Sequence, residues 1–227
     1  MADTSGNLSR LRITILKDGP YVVSGGVPLI RAIIVSDERG DPINWSTEQV
    51  PVAMDPYRLC RCGQSKSWPL CDGTHHRADF DGSETDTGGP YLERAELFEG
   101  PDLKLTDVAV LCANAAFCDR EGGTWHLTEK SDDPFARRLA VEQAGNCPSG
   151  RLVAWDRDGV ALEPELPPSI GLVENPLTAA RGPLWVRGRI TIVSASGASY
   201  EPRNRVTLCG CGHSRNKPFC DGAHFKR

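Results

Sequence analysis

The feature that most constrains this chain is a sixteen-residue segment that occurs twice, at positions 60–75 and 209–224. The first copy reads CRCGQSKSWPLCDGTH and the second reads CGCGHSRNKPFCDGAH, with nine of the sixteen positions identical and no gap. Each copy carries three cysteines and one histidine in the order Cys-x-Cys-x8-Cys-x3-His. Thiols and an imidazole at a fixed spacing are typical metal ligands, so the repeat predicts two metal sites.

The repetition extends upstream of each copy. Residues 19–25 (GPYVVSG) resemble residues 182–188 (GPLWVRG), and β-branched stretches follow at 29–35 and 189–193. Apolar and polar residues alternate through the second of these regions, which is typical of half-buried strands. Each unit is therefore predicted to consist of strands followed by a metal loop and a short helical turn.

The spacing within a copy brings its four ligands toward one point. Cys60 and Cys62 are two residues apart, so on an extended strand both side chains point the same way. An eight-residue loop returns to Cys71, and the Asp-Gly that follows predicts an N-cap and a helix start, from whose first turn His75 projects. The partial positive charge of a helix N-terminus would stabilise the thiolates.

Ligand types alone leave the metal open. Three cysteines and one histidine form a common structural zinc set, although zinc sites usually pair their ligands as Cys-x2–4-Cys. The Cys-x-Cys spacing favours a broader cluster, and four ligands also satisfy a 2Fe-2S centre with two ligands on each iron.

Both copies resemble the mitoNEET-like CDGSH iron–sulfur family, whose pattern is Cys-x-Cys-x2-Ser/Thr-x3-Pro-x-Cys-Asp-Gly-Ser/Ala/Thr-His. The resemblance implies a 2Fe-2S cluster at each site, bound by three cysteines and one histidine. Family members with one motif are homodimers that exchange strands, so this tandem chain is expected to be a monomeric, intramolecular pseudo-dimer of residues 1–80 and 175–227. The cluster ligands implied are Cys60, Cys62, Cys71, His75, Cys209, Cys211, Cys220 and His224.

The histidine ligands suggest two activities. An imidazole ligand is neutral and can carry a proton on its remote nitrogen, so electron transfer at His75 or His224 can couple to protonation. A protonated imidazole also leaves a metal, which would permit acid-triggered release or transfer of the cluster. Proton-coupled electron transfer remains open at this point, as does the alternative of cluster donation or a role in iron homeostasis.

The segment between the copies, residues 88–160, holds the remaining cysteines, Cys112, Cys118 and Cys147. It resembles a divergent single-cluster ferredoxin, with Ala115 in place of the central cysteine and Pro148 after the last one. The resemblance implies a third cluster, either 3Fe-4S or 4Fe-4S with a non-cysteine ligand. A degenerate domain without a cluster is the alternative, because lone buried cysteines often act as small hydrophobic residues.

Further local patterns predict the organisation of this insert. A strand is predicted at 105–111, a helix at 134–144 with Asp133 as N-cap, and a strand around His126. Linkers are predicted at 81–90, which is small and polar, and at 163–183, which is rich in proline.

Composition limits the function further. The net charge of −4 and the lack of a basic cluster argue against nucleic-acid binding, and no apolar run reaches the length of a membrane span. No secretory signal core is evident, so the expected location is the cytoplasm. The sequence predicts an α+β, mainly β iron–sulfur protein that has no substrate of its own. Its expected partner is a redox protein or an apo iron–sulfur acceptor.

Overall fold

The computed structural model describes residues 10–86, 88–178 and 181–226. Within these ranges the chain forms twelve strands in three sheets and three α-helices, a mainly β, α+β architecture as predicted. The strands are β1 Arg12–Ile15, β2 Tyr21–Ser24, β3 Leu29–Ser36, β4 Pro42–Val50, β5 Tyr57–Leu59, β6 Glu96–Glu99, β7 Lys104–Asp107, β8 Leu152–Trp155, β9 Ser169–Glu174, β10 Arg181–Arg187, β11 Thr191–Val193 and β12 Arg205–Leu208. The helices are α1 Tyr91–Arg94, α2 Thr124–Glu129 and α3 Pro134–Asn146.

The two larger sheets each contain strands from both ends of the chain. The first has the order β11-β1-β2-β5 and the second β12-β10-β9-β3-β4. Strand β11 pairs in parallel with β1, placing Ile192 opposite Ile13. Strand β3 pairs in parallel with β9, placing Ala32 opposite Val173. The N-terminal and C-terminal parts therefore cannot separate without breaking both sheets.

The repeated sequences occupy equivalent places in these sheets. Residues 19–25 and 182–188 supply β2 and β10, and β5 and β12 pair with them and run directly into the two metal loops. The inward side chains Tyr21 and Leu184 are each about 1% exposed. Alternating burial along β2 explains why the sequence pattern predicted a strand there.

One apolar core joins all parts of the described chain. It contains residues of the first half such as Ile13 and Leu59, and residues of the second half such as Ile192 and Leu208. Leu111 of the insert belongs to the same cluster. The insert is thus packed onto the sheets that carry the metal loops.

The insert lies between the two repeated metal loops in sequence. It forms the third sheet, β6-β7-β8, and α2 and α3 pack on this sheet. The predicted helix is confirmed: Asp133 accepts hydrogen bonds from the amides of Phe135 and Ala136 at its start. The predicted strand at 105–111 is wrong in its second half. Pairing ends at Asp107, and a 3-10 turn over Ala109–Leu111 redirects the chain toward the next residue, Cys112.

Two other expectations are wrong. His126 lies in α2, not in a strand, because Thr124, Leu127 and Thr128 repeat at helical spacing and bury one face. The proline-rich stretch at 163–183 is not simply a linker, since it contains β9 at the centre of the second sheet. Five of the six residues of β9 are buried, so it lacks the alternation that identifies a half-buried strand.

Among the described residues, no helix has the length and apolar character needed to cross a bilayer.

Candidate metal centres

The first metal loop begins where β5 ends. The Cys60 amide donates to the Pro69 carbonyl at 2.9 Å, and the Cys71 amide donates to the Arg58 carbonyl at 2.9 Å. This ladder brings the four predicted ligands together as two close pairs. The sulfurs of Cys60 and Cys62 are 3.6 Å apart, and the Cys71 sulfur is 3.4 Å from Nδ1 of His75.

The second loop repeats this geometry. The Cys209 amide donates to the Pro218 carbonyl at 2.8 Å, in the same way that the first loop closes. The sulfurs of Cys209 and Cys211 are 3.7 Å apart, and the Cys220 sulfur is 3.4 Å from Nδ1 of His224. All eight predicted ligands thus fall into four pairs with nearly equal separations.

The pairing indicates how many ions each site suits. Two sulfur ligands of one tetrahedral ion, each about 2.3 Å from it, lie about 3.7 Å apart. Each observed pair therefore has the spacing expected for two ligands of one ion. In the part of the chain that the structure describes, no group of three such ligands is close enough for a single ion. Each site therefore offers two ligand pairs, each with the spacing of two ligands on one ion.

Polar residues shared by both copies of the repeat hold each loop in shape. In the first loop, Ser65 donates to the Leu70 carbonyl at 2.6 Å, and Asp72 accepts from the amides of Lys66 and Thr74 at 2.9 and 3.0 Å. Hydrogen bonds from Thr74 and Lys66 hold the pKa of Asp72 well below its usual range. Ser214 and Asp221 make the equivalent bonds in the second loop.

The predicted helix after the third cysteine is shorter than expected. The first histidine lies in a single 3-10 turn, Thr74–His76, which starts after Gly73 at φ 83°. Asp72 satisfies amides, as predicted, but one such turn has no appreciable macrodipole. The helix-dipole explanation for thiolate stabilisation is therefore wrong.

Individual backbone amides stabilise the thiolates instead. Gly222 donates to the Cys220 sulfur at 3.4 Å, and hydrogen bonds from the amides of Ser214 and Gly212 favour the thiolate of Cys209. The hydrogen bond with Cys211 is the main cause that lowers the pKa of Cys209 to about 6, and it raises the pKa of Cys211. Amides that point at sulfur stabilise negative charge in the same way as an anion-binding nest.

Burial opposes ionisation at Cys62 and Cys220. It raises the pKa of Cys62 to about 11 and also raises the pKa of Cys220. Buried thiols of this kind become thiolates when a bound cation offsets the cost of desolvation. Burial likewise lowers the pKa of both His75 and His224, which favours the neutral imidazole that a metal needs.

The two metal loops touch each other through their backbones. A β-carbon at Gly63 would lie 2.6 Å from the carbonyl oxygen of Cys211, and one at Gly212 would lie 2.8 Å from that of Cys62. An open cavity of about 380 Å³ lies between the sites and is lined by both cysteines and by His224. The two metal loops are therefore in direct contact.

Two further residues support the second metal loop, although neither belongs to the repeated ligand pattern. Tyr21 on β2 donates its hydroxyl to the carbonyls of Cys209 and Pro218, at 2.9 and 3.2 Å, so the first half supports the second loop. Trp68 in the first loop packs on Gly210, where a β-carbon would lie 2.6 Å from the indole. Only the fold reveals these contacts, because they join residues far apart in sequence.

The three insert cysteines lie in one neighbourhood without forming a close sulfur pair in the described structure. Cys112 follows a 3-10 turn, Cys147 caps the end of α3, and the Cys118 thiol is 3.3 Å from a carboxylate oxygen of Asp119. Burial first, then Asp119, and then the charges of Cys147 and Cys112 raise the pKa of Cys118. The electrostatic coupling supports proximity, but the ligand set for a cluster is less complete here than in the repeats.

Comparisons with known proteins match the two repeats to one family model and the insert to another. The family model described as iron-binding zinc finger CDGSH type matches residues 18–76 and 181–225. The model described as divergent 4Fe-4S mono-cluster matches residues 98–157 between them. Neither a search of curated proteins nor a search of solved structures finds a match to the chain.

Proposed function

For this chain, which belongs to the CDGSH iron–sulfur family and carries a divergent 4Fe-4S domain between its two motifs, we propose a function in electron transfer. Each motif would hold one 2Fe-2S cluster through three cysteines and one histidine. The protein would pass electrons to or from a redox partner protein and would have no substrate of its own.

The observation that carries this proposal is the pairing of the ligands. Each site offers one Cys–Cys pair and one Cys–His pair at the spacing that a tetrahedral iron requires. When bound, such clusters supply reversible one-electron chemistry. The backbone contact between Gly63 and Cys211 supports exchange between the two sites, because neighbouring centres favour rapid transfer.

The histidines give the chain a means of coupling charge to protons. In both sites Nδ1 faces the third cysteine, which leaves Nε2 as the remote nitrogen that can hold a proton. His75 is partly exposed, so Nε2 of this residue can exchange its proton with water. We therefore propose that electron transfer at the first site is proton-coupled.

The exchange of strands supports a pseudo-dimer. Strand β11 joins the first sheet and β3 joins the second, each in parallel pairing with a strand of the other half. This is the arrangement expected if two copies of a strand-exchanging unit were fused in one chain. We propose that the chain functions as a monomer on this basis.

The insert is proposed to hold a third cluster. The charges of Cys147 and Cys112 contribute to raising the pKa of Cys118, and the family model that matches this region is a single-cluster type. With three cysteines, the site would suit a 3Fe-4S cluster or a 4Fe-4S cluster with one other ligand. A ferredoxin-like centre beside two further centres favours a relay.

Cluster donation is the second candidate. It is favoured by the position of His75, which is the more accessible of the two histidine ligands and would leave its iron on protonation. The two functions differ in one experiment, in which the loaded protein is mixed with an apo-ferredoxin and the visible spectra of the separated proteins are recorded. Clusters that stay in place and reduce reversibly support electron transfer, whereas clusters that appear on the ferredoxin support donation.

A further inference from the structure

The two repeat sites have different surroundings at the Cys–His pair. In the first site Cys71 and His75 are both partly exposed. In the second, Cys220 is 2% exposed and His224 is 6% exposed. The repeat sequences do not predict this difference, since their ligands are identical.

The insert contributes to this difference. Gly73 and Gly222 hold equivalent positions, with φ 83° and 80°. A β-carbon at Gly73 would meet nothing closer than 3.9 Å, whereas one at Gly222 would lie 2.4 Å from the side-chain nitrogen of Asn114 and 3.2 Å from the Cys112 carbonyl. The turn at residues 112–114 therefore covers the second Cys–His turn.

The insert, together with residues of β9 and β10 such as Val173 and Pro183, encloses one side of the histidine. His224, with Ala113, Ala115 and Pro148, lines a cavity of only about 10 Å³, which is about the space of one water molecule. On its other side His224 faces the larger cavity between the two sites.

A buried arginine ties the insert to the strand that leads into the second loop. Arg205 on β12 is 2% exposed and donates to the carbonyls of Cys147, Ala144 and Leu152, at 2.8 to 2.9 Å. It also forms an ion pair with Glu163. Four residues after Arg205 the chain reaches Cys209, so an insert cysteine and a repeat cysteine are connected through one side chain.

The first site has no equivalent connection. The residue four positions before Cys60 is Pro56, which has no side-chain donor. Among the described residues, no hydrogen bond joins the insert at 98–157 to the loop at 60–76, although Arg205 and the 112–114 turn engage the second site.

We propose that the insert is a built-in partner of the second site, and that the two repeat sites consequently have different tasks. The 112–114 turn encloses one side of His224, and Arg205 connects the Cys147 loop to the strand of Cys209. The second site exchanges electrons with the insert inside the molecule. The first site, with Cys71 and His75 partly exposed, exchanges electrons with the external redox partner. This assignment rests on the proposed function, because it concerns the loaded centres.

The test measures proton exchange at each histidine of the loaded protein. Reduced protein is transferred into deuterated water, and pulsed EPR follows the appearance of deuterium on the remote nitrogen of each ligand. The Cys220→Ser variant isolates the first site, and Cys71→Ser isolates the second. If either variant fails to bind its cluster, the unmodified protein still shows whether the two histidines exchange in one kinetic phase or in two. We expect His75 to exchange several-fold faster than His224, and Asn114→Gly to accelerate His224 alone. Asn114 has φ 54°, which glycine adopts freely, so the backbone should tolerate this change.

The outcomes distinguish a failure of this inference from a failure of the proposed function. Equal exchange at both histidines, or no acceleration by Asn114→Gly, overturns the inference while the proposed function stands. Absence of any histidine nitrogen coupling overturns both, because the proposed ligation would then be wrong. A second readout is the cluster lifetime in Asn114→Gly, which should shorten several-fold at the second site, where Asn114 covers Gly222, and stay unchanged at the first. Equal shortening at the two sites would also overturn the inference.

Discussion

Gly63 lies in direct contact with the backbone of Cys211, the middle cysteine of the other site. A β-carbon at Gly63 would lie 2.6 Å from the Cys211 carbonyl oxygen, and the reciprocal contact joins Gly212 to Cys62. Each metal loop therefore forms part of the wall of the other, and a change in one loop should disturb both sites.

Gly63→Ala tests this contact. The residue has φ 73°, and Gly26, at φ 74°, has open space where a β-carbon would be, so Gly26→Ala is a matched control. The left-handed backbone alone costs about 1–2 kcal/mol with a β-carbon, which both variants share. We expect Gly63→Ala to lose more stability than Gly26→Ala in urea unfolding, and to weaken cluster retention at both sites. Equal losses in the two variants would show that the loops are not in close contact.

Arg205→Met tests the connection between insert and second sheet. It removes four interactions of a buried guanidinium, while Asn204 still donates to Glu163 and backbone amides still donate to the Ala144 and Cys147 carbonyls. The expected loss of unfolding free energy is about 3–5 kcal/mol. Arg31→Met is the control, because Arg31 pairs with Glu48 and Glu174 at an exposed site and should cost about 0–1 kcal/mol. Similar losses from both changes would contradict the assigned role of Arg205.

Tyr21→Phe tests whether the first half supports the second site. The buried hydroxyl donates to the Cys209 and Pro218 carbonyls, so its removal should cost about 1–3 kcal/mol. Tyr57→Phe removes a comparable bond to the Val27 carbonyl, 3.0 Å long, that does not involve a metal loop. Absorbance during chelation should show faster cluster loss from the second site in Tyr21→Phe only. The same rate in both variants would contradict this role.

His75→Cys tests the part played by the imidazole at the first site. A thiolate ligand adds negative charge and lacks a remote nitrogen that titrates, so the potential of this centre should fall and its cluster should persist to lower pH. His224→Cys is the matched change in the other loop. Potentiometry and absorbance at stepwise lower pH measure both properties. An unchanged acid sensitivity in His75→Cys would mean that the histidine is not the weak point of the site.

The sequence predicted the local parts of this structure well. The two loops, the strands β2 and β10, and the helix capped by Asp133 all follow from short-range patterns, because their turns and caps are formed by residues close in sequence. The pairing of the ligands follows from their spacing for the same reason.

Features that depend on distant contacts could not be predicted. Strand β9 is buried on both faces among prolines, so no alternation revealed it. The burial of His224 comes in part from the 112–114 turn more than a hundred residues away, and Arg205 resembles any other basic residue in its strand until its partners are known. The two motifs have the same ligands at the same spacing, so they gave no reason to expect two different environments.

The central claim is that each set of three cysteines and one histidine holds a two-iron cluster. Iron, acid-labile sulfide and zinc are to be measured per chain in protein purified without oxygen from an iron-replete host. We expect coloured protein with about four irons and four sulfides from the two motifs, rising to about seven or eight irons if the insert is loaded. Colourless protein with about one zinc ion per motif and no sulfide would contradict the account.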